Sequence, residues 1–184
     1  MRVICYNIHS GKDKNKKSTL DKIIQYLKQQ QSDIICLQEV LYSQYIKMKF
    51  KLRMNGIFAE NVPIKQYGIC IFSKYKIIAQ NHILLTSKKE QRGFAHIKVK
   101  INEDEYLNII NTHLGLDKYE RVKQIDEILD FVSINLNGNI ENLAGNIICG
   151  DFNEKNISIN NFDDVAIKLN KDNIPTFLTS RIDY

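Results

Sequence analysis

The sequence contains no tryptophan, two prolines and eight glycines in 184 residues. So little proline and glycine excludes collagen-like and low-complexity chains. Without tryptophan there is no indole wedge or stacking platform for nucleic-acid bases. No apolar run approaches the ~18–20 residues of a membrane span. The first residues, Met1 to Asn7, already form an apolar strand pattern. They lack the charged start, long apolar stretch and small-residue cleavage site of a signal peptide, which points to the cytoplasm. The four cysteines, Cys5, Cys36, Cys70 and Cys149, sit in separate apolar runs with no CxxC and no zinc-type spacing. They read as reduced, buried thiols.

Hydrophobic residues make up 43% of the chain, which excludes disorder for most of it. The length suits one domain over residues 1–184, large enough to need no disulfide or metal staple. The net charge of +5 is mildly basic and compatible with a phosphate-bearing substrate. Basic clusters at Lys12 to Lys17 and Lys47 to Arg53 could guide a polyanion; solvated lysine-rich loops are the simpler reading.

Short apolar runs alternate with helical patterns, and no repeat or linker divides the chain. Val3 to Ile8 reads as a strand, followed by a polar loop from Gly11 to Lys17. Leu20, Ile23, Ile24 and Leu27 fall at i, i+3, i+4 and i+7, one face of a helix that Ser18 or Thr19 could cap. Asp33 to Leu37 is a second strand, and Ser43 to Leu52 leans towards helix. Tyr67 to Ser73, Lys76 to Leu85, Gly93 to Ile101 and Glu105 to Thr112 read as successive strands. In the third of these, Ala95, Ile97, Val99 and Ile101 share a face. Tyr119 to Leu136 is the strongest helix, with Val122, Ile125, Leu129 and Val132 as its apolar stripe. Asn146 to Cys149 is a strand, Asp163 to Leu169 a short helix, and Ser180 to Tyr184 opens another strand. Strands outnumber helices, which suggests sheets covered by helices in an α/β layered domain.

Asn7, Glu39, His113, Asp151 and Asn153 each stand at the end of an expected strand. Strand ends along one sheet edge are where α/β folds build sites. Carboxylates and amides meeting there suit a hard cation such as Mg²⁺. With a histidine and a spare carboxylate, such a site suits attack of water on a phosphoester. Each residue alone has an ordinary structural explanation: a strand-end amide, a solvated glutamate, a satisfied core histidine, an Asp/Asn turn. Their joint placement is what points to chemistry.

The chain resembles the endonuclease/exonuclease/phosphatase superfamily of metal-dependent phosphoesterases. The resemblance rests on Tyr6-Asn7-Ile8-His9-Ser10-Gly11, Leu37-Gln38-Glu39-Val40, Gln91-Arg92-Gly93, Asn111-Thr112-His113-Leu114-Gly115, Gly150-Asp151-Phe152-Asn153 and Arg181-Ile182-Asp183-Tyr184, in the family's order. It implies a four-layer α/β/β/α sandwich of two mixed sheets flanked by helices. It also implies Mg²⁺ or Mn²⁺, with Glu39 as the main ligand and Asn7 beside it. Asp151 would orient or deprotonate the attacking water. Asn153 and His113 would contact the phosphate, and Arg92 is a further phosphate candidate, weighed evenly against a surface salt bridge.

One departure stands out. In the family, the strand ending in Asp183-Tyr184 is normally followed by further strands and a Ser-Asp-His motif. The histidine of that motif touches the scissile phosphate and is oriented by the aspartate matching Asp183. None of His9, His82, His96 or His113 stands in its place. The resemblance is therefore C-terminally incomplete over these residues. A trimmed chain, a truncated gene and a segment supplied by a partner are the three accounts. Weak or absent activity is expected of the 184 residues, along with association through an unpaired sheet edge.

The substrate is less legible. Tyr6-Asn7-Ile8-His9 and Gln38-Glu39-Val40 depart from the Trp-Asn-x-Asn-Gly and Gln-Glu-Thr patterns usual in the abasic-site branch. The run from Asn111 to Leu116, with Glu120-Arg121 and Gln124, resembles a broad bacterial group. No loop suggests a membrane-inserting hairpin, so lipid is disfavoured and a phosphodiester, nucleic acid included, is the favoured class. The alternative is an impaired family member that binds phosphate or nucleic acid without turning it over.

Overall fold

Isoleucine-rich runs need cover on both faces, and two stacked sheets provide it. The structure, a computed structural model, describes residues 1–136, 142–155, 157–176 and 181–184. The strands are β1 (Val3–Asn7), β2 (Ile34–Leu41), β3 (Asn55–Val62), β4 (Tyr67–Ser73), β5 (Lys76–Leu85), β6 (Arg92–Lys100), β7 (Tyr106–His113) and β8 (Leu143–Asp151). The helices are α1 (Leu20–Gln30), α2 (Tyr42–Leu52), α3 (Lys118–Asn135) and α4 (Val165–Lys168). One sheet runs β1-β2-β4-β3 and the other β5-β6-β7-β8. β1 and β2 are parallel, as are β7 and β8; the other pairs are antiparallel, so both sheets are mixed.

Three apolar layers follow. Ile35, Leu37, Val40, Cys70 and Phe72 pack beneath Ile23, Ile24 and Leu27 of α1 and Met48 of α2. Ile34, Cys36, Ile69 and Ile71 of the first sheet meet Ala95, Ile97, Val99, Ile109 and Cys149 of the second. Phe94 and Ile110 meet Ile128, Phe131 and Val132 of α3 on the far side. The order is helix, sheet, sheet, helix, the expected four-layer sandwich. Alternation in β6 therefore separates two buried faces rather than core from water. Each fully buried large aliphatic contributes about 1.5–3 kcal/mol. The four cysteines are free thiols; three are buried and Cys5 is half-buried.

Two expectations need correction. Residues 55–62 form β3, which the sequence pattern does not announce. Gly56 is a poor strand former, but a side chain there would strike the Phe72 ring, its Cβ lying 2.7 Å from Cδ1. The stripe on α3 also differs. Val122 is 53% exposed, and the first turns bury Glu120, Arg121 and Gln124 instead. These polar residues hold the loop after β7. Gln124 accepts from the Gly115 N–H at 2.8 Å, and Arg121 donates to the Leu116 carbonyl at 2.6 Å. Elsewhere boundaries move by a few residues. Thr19 occupies the N-cap of α1, though its side chain makes no capping bond.

Ser180 lies outside the described residues. Residues 182–184 pair antiparallel against the end of β8, with Tyr184 and Gly150 exchanging hydrogen bonds at 2.8 and 2.9 Å.

Candidate active site

Because β1 and β2 run parallel, and β7 and β8 likewise, their C-terminal ends gather at one edge of the sandwich. Asn7 bridges the two sheets there. Its Nδ2 donates to Glu39 Oε1 and to Asp151 Oδ2, each at 3.0 Å. Its own oxygen accepts from the His9 N–H at 2.9 Å. The chain then turns left-handed through His9-Ser10-Gly11, whose φ angles are 49°, 53° and 60°. Gln44 at the start of α2 secures the turn by donating to the Ser10 carbonyl at 2.7 Å.

Glu39 sits on a β-bulge. The β2–β4 register shifts between Leu37 and Val40, and Glu39 has a φ of 55°, unfavourable for a non-glycine residue. The bulge is held from the opposite sheet. Asn111 donates from Nδ2 to the Leu37 and Cys70 carbonyls, both at 3.0 Å. Its oxygen accepts from Gln38 Nε2 at 2.6 Å. Both amides are fully buried; the Asn111 amide is paired at both ends, whereas Gln38 Oε1 has no partner among the described residues. Gln38 and Asn111 thus aim Glu39 into the site.

Asp151 is pinned at both oxygens. Oδ1 accepts from the Asn153 N–H at 3.0 Å, and Oδ2 accepts from Asn7 and lies 3.8 Å from His113 Nε2. Asn153, with a φ of 50°, closes this turn and donates its amide to the Leu114 carbonyl at 2.9 Å. Burial raises the Asp151 carboxyl above the usual carboxylate range, with the Glu39 charge adding to it. His113 is driven the other way. Burial, reinforced by the Arg92 guanidinium, lowers its pKa to about 3. Both influences favour the neutral imidazole.

The register places His113 of β7 beside Asp151 of β8, and Asp151 in turn beside Asp183 through an isolated antiparallel bridge. Burial first, then the Asp151 charge, push the Asp183 carboxyl up to about 6 against the opposing pull of Thr176. Its Oδ1 is buried and has no hydrogen-bond partner among the described residues. A carboxyl whose pKa is raised by folding binds its proton more tightly in the native state. Stability therefore falls as pH rises from the ordinary 3.8 to about 6. Asp183→Asn removes that cost. After discounting for screening at a partly exposed group, the variant should be more stable by on the order of 1 kcal/mol near neutrality. The gain should vanish once both states are protonated. Thermal melts at the two pH extremes check this, and a destabilised variant at neutral pH overturns it.

All seven residues singled out from the sequence lie at or directly beneath this edge. Others were not legible. His9 Nδ1 approaches Glu39 Oε2 at 3.4 Å. Tyr67 stands close enough to Glu39 that burial, then the carboxylate charge, push its phenol pKa upward. Tyr67 is only the first residue of a strand in the sequence, with nothing local to mark it.

Two carboxylates, the amide that bridges them and a buried imidazole thus meet at the strand ends of an α/β/β/α scaffold. Residues 4–184 match the model of the Endonuclease/Exonuclease/phosphatase family, and the chain belongs to that family. Similar solved structures include ANGEL2, a 2′,3′-cyclic phosphatase, at 17% identity and a TM-score of 0.72, covering 84% of this chain and 53% of that one. An endonuclease/exonuclease/phosphatase from Bacteroides vulgatus has 19% identity and a TM-score of 0.72, covering 85% and 67%. TDP2 from D. rerio, complexed with single-strand DNA product, has 19% identity and a TM-score of 0.69, covering 84% and 61%. The chain thus spans about half to two-thirds of these proteins' length, and at such identities the likeness concerns the fold. No curated protein matches the chain.

Proposed function

We propose that the chain is a divalent-metal-dependent phosphoester hydrolase, a phosphodiesterase with nucleic acid among its substrates, in which Asp151 activates water. The observation that carries this is the Asp151 carboxylate, fixed at both oxygens beside a second carboxylate and a neutral histidine. Its raised affinity for a proton suits a general base. His113, as a neutral N–H donor, would hydrogen-bond a phosphoryl oxygen as negative charge builds on it. Asn153 would hold Asp151 and the same phosphate. Relatives that act on a 2′,3′-cyclic phosphate or carry a DNA product support a phosphoester substrate.

The donors at the edge are oxygens, which fits Mg²⁺ or Mn²⁺. Among the described residues, no group of three or more His, Cys, Asp or Glu side chains could cage a metal. A hydrated cation resting on Glu39 suits that set. Asn7 would join it by turning its amide oxygen from the His9 N–H. When bound, the ion would polarise the phosphoryl group and make water more acidic.

The test is hydrolysis of an aryl phosphodiester, an aryl phosphate monoester and a DNA duplex with Mg²⁺, Mn²⁺ or EDTA. Slow turnover that EDTA abolishes is expected, and turnover unaffected by EDTA overturns the reading. Asp183 Oδ1, buried without a hydrogen-bond partner among the described residues, favours a second reading, a phosphate-binding module without turnover. No helix among the described residues is long and apolar enough to cross a membrane. We place the protein in the cytoplasm, with association through the outer edge of β1, beside which a groove of about 600 Å³ runs.

A further inference from the structure

We infer that Arg92 is a positioning residue that fixes the tautomer of His113, rather than a direct phosphate ligand. The inference rests on His113 acting as the phosphoryl-oxygen donor of the proposed reaction, and its own geometry is independent of substrate.

Arg92 is the first residue of β6 and is buried at 7% exposure. Its Nη1 lies 3.3 Å from His113 Nδ1. A guanidinium has N–H donors and no lone pair to offer. The contact is a hydrogen bond only if His113 Nδ1 is bare and accepts. In a neutral imidazole the single proton must then sit on Nε2. That nitrogen faces Asp151 Oδ2 and the open edge of the site. The opposite tautomer would set two N–H groups against each other in a buried place and leave only a lone pair facing the substrate.

The surroundings hold the guanidinium to this task. Glu90 Oε1 accepts from the same Nη1 at 2.9 Å and balances its charge. The Arg92 backbone N–H donates to Ser87 Oγ at 2.9 Å, and its carbonyl accepts from Gln91 Nε2 at 2.8 Å. Gly93, next in sequence, permits a close approach to β5: a Cβ there would lie 2.8 Å from the Ile83 carbonyl. Gln91-Arg92-Gly93 is thereby accounted for residue by residue. Burial under His113 also explains why Arg92 need not reach a phosphate to matter.

The direct readout is the ring ¹⁵N spectrum of His113 at neutral pH, assigned by the signal lost in His113→Gln. Wild type should show a pyrrole-type Nε2 and a pyridine-type Nδ1. Arg92→Met, which keeps the stem and removes the donor, should give a mixture of tautomers. Arg92→Lys, whose ammonium also only donates, should keep the wild-type pattern if it reaches Nδ1. In the hydrolysis assay, Arg92→Met should lower kcat about tenfold or more with KM little changed. A protonated Nδ1 in wild type, or an unchanged tautomer in a folded Arg92→Met, overturns the inference. The wild-type spectrum alone decides the matter should Arg92→Met fail to fold. A tautomer that follows Arg92 in a protein with no turnover would uphold the positioning role while refuting the hydrolase reading. Metal-dependent turnover with an unmoved tautomer would do the reverse.

Discussion

Asp151→Asn should lower metal-dependent turnover about 10²- to 10⁴-fold, the range lost when a general base is removed. The substitution keeps the shape of the side chain and one acceptor. Asparagine can still take the Asn153 N–H at the Oδ1 position. It then presents an NH₂ where Oδ2 accepts from Asn7, so the bridge between the sheets loses one contact as well as its base. The pH profile adds a second reading. Asp151 is raised by burial and by Glu39, so wild-type activity should fall on the acid side as that carboxylate protonates. The acid limb governed by Asp151 should be absent from whatever rate the variant retains. Removing the charge also relieves Asp183, whose proton affinity should fall towards the ordinary aspartate value. Unchanged turnover in a folded Asp151→Asn protein would show that another group activates water. A wild type that binds inorganic phosphate yet never turns over would favour the binding-module reading.

How much of this was legible depends on the range of the interaction. Elements with local periodicity could be read: the i, i+3, i+4, i+7 face of α1, and β4 and β5 with their observed bounds. β3 could not, because the fit of Gly56 against the Phe72 ring is a tertiary fact with no local trace. The inner face of α3 misled for a related reason. Apolar spacing nominated Val122, but the first turns face a loop that needs donors and acceptors, so Arg121 and Gln124 are buried instead. At the site, the strand-end residues were recognisable through their motifs. What they and the other motif residues touch was not. Asn111 holds the Leu37 carbonyl across 74 residues of sequence, and Arg92 meets His113 from a different strand. Such pairs become visible only when two sheets are stacked.

Gly150→Ala should destabilise the fold by about 3–5 kcal/mol and abolish turnover in what remains folded. Two costs combine at this position. Gly150 has a φ of +155°, a backbone conformation that side-chain-bearing residues rarely adopt. A Cβ there would also lie 2.1 Å from the Thr112 carbonyl oxygen of β7, a contact neither main chain can yield without parting. Gly150 pairs directly with Thr112, one residue before His113 pairs with Asp151. Forcing β8 away from β7 therefore moves the base from both His113 and Asn7, and disturbs the exchange of hydrogen bonds between Gly150 and Tyr184. For a domain of this size the melting temperature should drop by about 10 °C. Gly145→Ala is the internal control. It lies on the same strand with a φ of +152° and no described residue within 4 Å of its Cβ position, so it bears the backbone strain without the collision. That variant should lose on the order of 1 kcal/mol and keep its activity. Equal melting temperatures for the two variants would mean that strain alone sets the cost. The close approach of β7 and β8 would then not be what holds His113 beside Asp151.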